Sequence, residues 1–297
     1  MRLIEILKII NINLGIHSYF KCNDELISAE FECYQLKNTS FEFDYKRKNV
    51  LHFTNIESAR LILENNYLRG SSFDKFNDKF EIIQLLSFIN NELVNDWAEI
   101  KANTFAISFT EKIKNNIIED YEYHWQRYGD RHQGVALEFE FSDTALPYGF
   151  CPLRINYLSK DSPTITKLSN VLPDDFNLSE VEKEFLLPIL ASIKDKGKFE
   201  EESEVRLMYK ISKPEIEHLD NSLDSDIFFS FKENNALNLE LRVPFSTLTN
   251  RTKRNPLKLK KIYLGKYFIN SEDNIASSIL MSYFNNQCEK QGIELIY

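Results

Sequence analysis

Glycine and proline are scarce in this chain, eight of each in 297 residues. That scarcity excludes a collagen-like, low-complexity or linker-dominated polypeptide. Cysteine is sparser still. Cys22, Cys33, Cys151 and Cys288 stand alone, with no C-x-x-C pair among them. Such spacing offers no zinc site, and the thiols are expected to be reduced. A basic surplus is also missing: 36 Lys and Arg face 45 Asp and Glu, for a net charge of -9. A general nucleic-acid coat needs a basic surface and is excluded. No apolar run is long enough to span a membrane. The opening "MRLIEILKIININLGI" lacks a small-residue cleavage site and is interrupted by Glu5, Lys8 and asparagines, so it does not read as a signal peptide. A cytoplasmic protein is expected. What the chain does have is aromatic bulk, 23 Phe and 14 Tyr, within a hydrophobic content of 43%. That suffices for a sizeable core and favours a packed, strand-containing fold.

Residues 1–48 alternate weakly and read as an N-terminal extension; residues 49–297 read as a single domain. "VLHFT" is a short strand. "TNIE" forms a capping box in which the Thr54 hydroxyl accepts from the backbone N–H of Glu57. The helix that follows sets Ile56, Ala59, Ile62, Leu63 and Tyr67 on one face, and "RGSS" breaks it. A long helix is predicted from about Asp78 to Ile100. "NTFAISFT", "VALEFEF" and "EVRLMYKI" alternate as strands, and "IFFSF", "LELRV", "KIYLG" and "IELIY" add more. "SEVEKEFLLPILASIKDK" opens on a Ser179–Glu182 capping box and reads as a helix, as does 271–291. Strands and helices mix without a βαβ rhythm, phosphate loop or internal repeat. The class is α+β, with a mixed or antiparallel, split sheet and flanking helices.

Four groups carry chemistry, each beside a structural alternative. His52 stands near Thr54 at the end of a strand, where an imidazole offers both a donor and an acceptor. In "FNDKFE", Asn77, Asp78 and Glu81 either start the long helix or contact a ligand. In "HWQRYGDRHQG", Trp125, Tyr128 and His132 fall in one short segment with Arg127, Asp130 and Arg131. That is either a loop site or an aromatic cluster capping the core. In "EEESEVRLMYK", Glu202, Glu204 and Arg206 share a strand face by the period of two. The carboxylates either perturb one another and hold a hydroxyl, or Arg206 pairs with Glu204 as a structural bridge. A basic run, Arg251, Lys253, Arg254, Lys258, Lys260, Lys261 and Lys266, occupies sixteen residues with no acid between. It suits an anionic partner or a solvated edge strand.

The order "LHFT", "FNDKFE", "AISFT", "HWQRYGDRHQG", "INYL", "ESEVRL", "KKIYLG" resembles the bacterial family known as domain of unknown function 2971 (DUF2971), over roughly Val50 to Tyr297. Two positions depart from that pattern. Lys79 stands where proline is usual, and no aromatic residue precedes Arg206. The family's layout is in turn similar to that of ADP-ribosyltransferases, with a histidine on the first sheet strand, a later aromatic and a glutamate on a late strand. The resemblance implies an ADP-ribosyltransferase-like fold that consumes NAD without a metal, as a toxin or phage-defence effector modifying a protein or nucleic acid. On it, Glu204 stabilises the oxocarbenium-like state formed as the nicotinamide–ribose bond breaks. His52, with Thr54, holds a ribose hydroxyl. Ser108 and Thr110 support Glu204, Tyr128 or Trp125 stacks nicotinamide, and Glu202 meets the acceptor. Asn77, Asp78, Glu81, His132 and Arg206 complete the NAD-binding set.

Two other readings fit the same residues. One is a metal-independent nuclease using His52 and His132 as acid and base, with the basic run gripping phosphates. The other is a non-catalytic sensor that binds a nucleotide or a partner.

Overall fold

The computed structural model describes residues 40–45, 48–75, 101, 104–142, 150–159, 161–171, 189–210, 228–229, 241–247, 255–269 and 275–297. Most of the expected extension, the expected long helix with Asn77, Asp78 and Glu81, the second capping box, and Arg251, Lys253 and Arg254 lie outside them. The described residues make a mixed α+β protein with a large mixed sheet and few helices, the class the sequence indicates. No described helix is long and apolar enough to cross a membrane. The chain divides into two compact units. The first is Met1–Phe43, Ser71–Ala106 and Tyr148–Asp220; the second is Asp44–Gly70, Ile107–Pro147 and Asn221–Tyr297.

The second unit is built on a strand rich in β-formers, β1 (Asn49–Thr54). Helix α1 (Ile56–Asn65) follows, and its cap is Asn55 rather than Thr54. The Asn55 Oδ1 accepts from the Ser58 N–H at 2.7 Å, while Thr54 remains in the strand. Asparagine outranks threonine as a cap, and one residue of extra strand decides between them. The helix ends at Asn66, left-handed at φ 56°, whose N–H donates to the Ile62 carbonyl. The next residues are strand β2 (Tyr67–Ser72), not the break that "RGSS" suggests. Gly70 is tolerated there because it lies opposite Leu241, whose side chain would approach a Cβ to 3.0 Å.

Strand β4 (Val135–Phe141) runs antiparallel between β1 and β11 (Leu257–Leu264). Strands β10 (Leu241–Ser246) and β12 (Glu294–Ile296) both run parallel to β11. Register fixes two faces. Val50, His52 and Thr54 sit opposite Phe139, Leu137 and Val135, while Leu51 and Phe53 sit opposite Glu138 and Ala136. The bulge between Leu259 and Lys261 keeps the faces in step across β11, so Ile262 meets Leu137 and Tyr263 meets Ala136. Phe109 joins the first face, edge-on to His52 and Phe139. The second face is covered by the short helices α2 (Ile117–Asp120) and α3 (Glu122–Arg127), through Ile117, Tyr121 and Trp125. A short helix, Lys266–Ile269, follows β11. The last long helix, Ile275–Gln291, stops at Gly292, whose φ of 64° suits glycine.

The first unit pairs β5 (Phe150–Arg154) antiparallel with β8 (Glu204–Lys210), and Leu153 faces Arg206. A smaller parallel pair joins β6 (Asn156–Leu158) to β7 (Ile193–Asp195). Residues 193–195 are thus strand, where the sequence pattern suggests a continuing helix. Asp195 ends β7 and caps the turn of helix Lys196–Phe199, accepting from the Gly197 N–H at 3.0 Å. A tight turn, Glu200–Glu202, and left-handed Ser203 (φ 43°) deliver the chain into β8.

Candidate functional site

Among its described residues, the first unit buries a cluster of charges. The Glu204 Oε1 accepts from Arg206 Nε at 2.7 Å, and its Oε2 accepts from Arg206 Nη2 at 3.3 Å. Lys194, on β7, brings its Nζ to 2.6 Å from the same Oε2 and to 2.7 Å from Glu202 Oε2. Arg206, 0% exposed, also donates from Nη1 to the Ala191 carbonyl at 2.7 Å. Phe73 faces the guanidinium and Phe199 the ammonium, at 6.0 and 5.0 Å from ring centroids. Two acids and two bases thus balance in a water-poor interior, which is the condition for keeping such charges buried. Burial alone would raise the Glu204 pKa. The charges and hydrogen bonds of Arg206 and Lys194 outweigh it and hold the carboxyl down at about 2. The Tyr157 hydroxyl accepts from the Glu204 backbone N–H at 3.0 Å, and burial pushes its own pKa up.

Glu202 and Glu204 do come together, but not as a strand pair. Glu202 lies in the tight turn, Ser203 reverses the backbone, and only Glu204 is on β8. The two carboxylates meet through Lys194. Glu202, expected to meet the acceptor, is 3% exposed and pairs with Lys194.

In the second unit His52 is half-buried on the face of the sheet where Leu137 of β4 sits opposite it and Phe109 meets its ring edge-on. Its Nδ1 lies 3.1 Å from the Ser108 carbonyl, so that nitrogen carries the proton, and Nε2 is the acceptor. Burial lowers the His52 pKa, only partly offset by the bond to Ser108, and favours the neutral ring. Ser108 is half-buried and Thr110 buried on β3 (Thr104–Glu111).

Trp125, His132 and Tyr128 lie with the other face of β1. Phe53 meets Trp125 edge-on at 5.1 Å and stacks on His124 at 5.2 Å. His52 and Thr54 therefore do not share a site with this aromatic set, because neighbouring strand residues point to opposite faces. Nor is Trp125 available to stack a ligand. It is 0% exposed, its Nε1 donates to the Ile117 carbonyl at 2.8 Å, and its ring stacks on His132 at 5.6 Å. His132 is equally buried and pairs through Nε2 with Glu122 Oε2 at 2.9 Å. That separation and burial also overturn an acid–base pair of His52 and His132. Tyr128, at 41% exposure, is the member that stays accessible.

The segment is held tightly. Asp130, Arg131 and His132 are consecutive left-handed residues at φ 48°, 53° and 66°. Gly134 N–H bonds the Gly129 carbonyl, and a Cβ at Gly265 would stand 2.2 Å from the His132 carbonyl oxygen. Lys266 joins the same Glu122 oxygen at 3.1 Å. Other described parts of the basic run are also paired, Lys260 with Glu140 at 3.0 Å and Lys261 with Glu294 at 2.7 Å. β11 pairs with β4, β10 and β12, so Lys258, Lys260 and Lys261 do not lie on the edge strand that the sequence suggests; they belong to an interior strand.

Three functional-looking residues escaped the sequence reading. Lys194 is hidden inside a helical-looking run. Glu122 is one acid among many. Glu138, inside "VALEFEF", reads as the solvent side of a strand. It is instead 1% exposed, accepting from Asn49 Nδ2 at 2.6 Å, Tyr263 Oη at 2.6 Å and Lys112 Nζ at 2.7 Å. Glu138 lies between Leu137 and Phe139, with Glu140 two residues on, so its sequence neighbours carry no signal of burial; its partners Asn49, Lys112 and Tyr263 come from other elements. Comparison with protein-family models, curated proteins and solved structures finds no match.

Proposed function

We propose that the chain is an NAD-dependent ADP-ribosyltransferase of the DUF2971 type, acting through Glu204. The observation that carries this reading is the state of that carboxylate: ionised, with both oxygens fixed, at the head of a buried strand. Stabilising a developing oxocarbenium ion requires a negative group that is already in place and does not reorganise. The bond from ribose C1′ to the nicotinamide nitrogen breaks, and nicotinamide leaves with the electron pair. A nucleophile on the acceptor then bonds to C1′ and gives up its proton to solvent. The order of motifs along the chain supports the same reading.

The test is nicotinamide release from NAD by the full chain, wild type beside Glu204→Gln and Glu204→Asp, with and without cell lysate. Release by wild type, lost in Glu204→Gln at unchanged circular dichroism, is the expected result. Equal release by folded Glu204→Gln overturns it. A second reading, non-catalytic ligand binding, is favoured by the saturation of both Glu204 oxygens by cations. It requires NAD binding by calorimetry without nicotinamide release.

A further inference from the structure

In the second unit the sheet continues past β11 onto β10 and β2. Lys258 of β11 sits beside Ser246, and Arg242 of β10 sits directly opposite Arg69 of β2. Alternation decides what each face shows. Leu241, Val243, Phe245 and Leu68 are buried on one side. On the other, Tyr67, Arg242 and Lys258 are half-buried and Arg69 is exposed. Two arginines paired across antiparallel strands hold like charges with Cβ atoms about 5 Å apart. That pairing is unfavourable by itself and favourable with an anion between the two. Each guanidinium is a flat fork that matches two oxygens of a phosphate. The Arg242 guanidinium carbon lies 4.8 Å over the Tyr67 ring, which orders that fork before a ligand arrives.

We propose that this face, through Arg69, Arg242 and Lys258 with Tyr67 beneath Arg242, binds single-stranded nucleic acid by its phosphates. The three cations stand on three neighbouring strands, and Lys258 is level with a residue four places along β10 from Arg242, about 13 Å away. They are strung across the sheet, not gathered about one point, so they fit a run of phosphates better than one small anion. An open sheet face also leaves the bases of a single strand free to lie against a guanidinium plane. Glu140 is the described acid next to this row. It stands opposite Lys258 and is held by Lys260 at 3.0 Å. The chain as a whole carries a net charge of -9 and repels a polyanion, which confines binding to this local exception. The surface stands whether or not NAD is consumed.

The experiment is fluorescence anisotropy of a labelled oligodeoxythymidylate with the full chain, wild type beside Arg69→Gln, Arg242→Gln and Tyr67→Leu, over a salt series. Wild type is expected to bind. Each arginine variant is expected to bind about tenfold more weakly, with the slope of log affinity against log salt smaller by about 0.7. Tyr67→Leu keeps every charge and is expected to weaken binding at an unchanged slope, because only the order of the Arg242 fork is lost. Arg69 is exposed, so its variant is expected to keep the wild-type circular dichroism, and it decides the case if Arg242→Gln does not fold. Four results overturn the proposal. They are no binding by folded wild type at low salt, unchanged binding by Arg69→Gln, a duplex bound as tightly as the single strand, and polyglutamate, with carboxylates in place of phosphates, bound equally well.

Discussion

Phe53 and Trp125 meet edge-on, ring centroids 5.1 Å apart at 87°, on the side of β1 away from His52. One contact therefore assigns the tryptophan to the core and separates it from His52, which the family resemblance places in the same NAD-binding set.

Trp125→Phe is expected to cost about 2–3 kcal/mol, from the lost bond to Ile117 and the space the smaller ring leaves. Tyr128→Ala, at an exposed position, is expected to change stability by under about 0.5 kcal/mol. Urea denaturation of both variants checks the pair. Equal effects would place the two rings in the same environment.

Glycine substitutions separate by what a methyl group meets. Gly265→Ala drives a carbon into the His132 carbonyl and is expected to lose more than about 2 kcal/mol. Gly197→Ala has its nearest contact at 3.6 Å, from the Asp195 carboxylate, and is expected to be tolerated. Thermal unfolding of the two variants side by side decides.

Glu138→Gln leaves Lys112 without its buried partner and weakens the bond to Tyr263. A loss of about 3 kcal/mol is expected, less whatever Lys112 regains by turning to water. Glu138→Gln combined with Lys112→Met is expected to recover part of it. A double variant no better than the single would show that the tyrosine bond dominates.

Two acid limbs of stability are expected. The folded His52 pKa lies below 6.5, so the unfolded chain takes up that proton first; this contribution is complete above about 6.5 and is lost as pH falls through it. Glu204 is likewise depressed, from 4.5 to about 2, so its contribution is present above 4.5 and lost on the way down to about 2. Denaturation midpoints across pH should flatten in the upper window for His52→Gln and in the lower for Glu204→Gln. Unchanged slopes would refute the assignment.

What the sequence made legible follows from local chemistry. Alternation marks β1, β3, β4 and β8, and the period of two separates His52 from Phe53. Which elements cover each face is a tertiary matter, so the covering of Phe53 by Trp125 was not legible. The grouping of Glu202, Glu204 and Arg206 was visible within seven residues of text, but their common partner Lys194 sits on another strand. β2 was missed because Arg69, Gly70 and Ser71 are poor β-formers. Pairing with β10 overrides that preference, and Gly70 relieves the contact with Leu241.

The position of β4 bears on how the chain is made. It is synthesised with Val135, Leu137, Phe139 and Phe141 in place, and β1 is already available for one side. Its other neighbour, β11, emerges only at Leu257–Leu264. Until then the ribosome holds a chain in which β4, with its four large apolar side chains, presents an unfinished hydrogen-bonding edge, open to mispairing with other nascent polypeptides. Yield on overexpression should accordingly depend on chaperone supply, and a premature stop before residue 257 should give aggregate rather than a shorter soluble product.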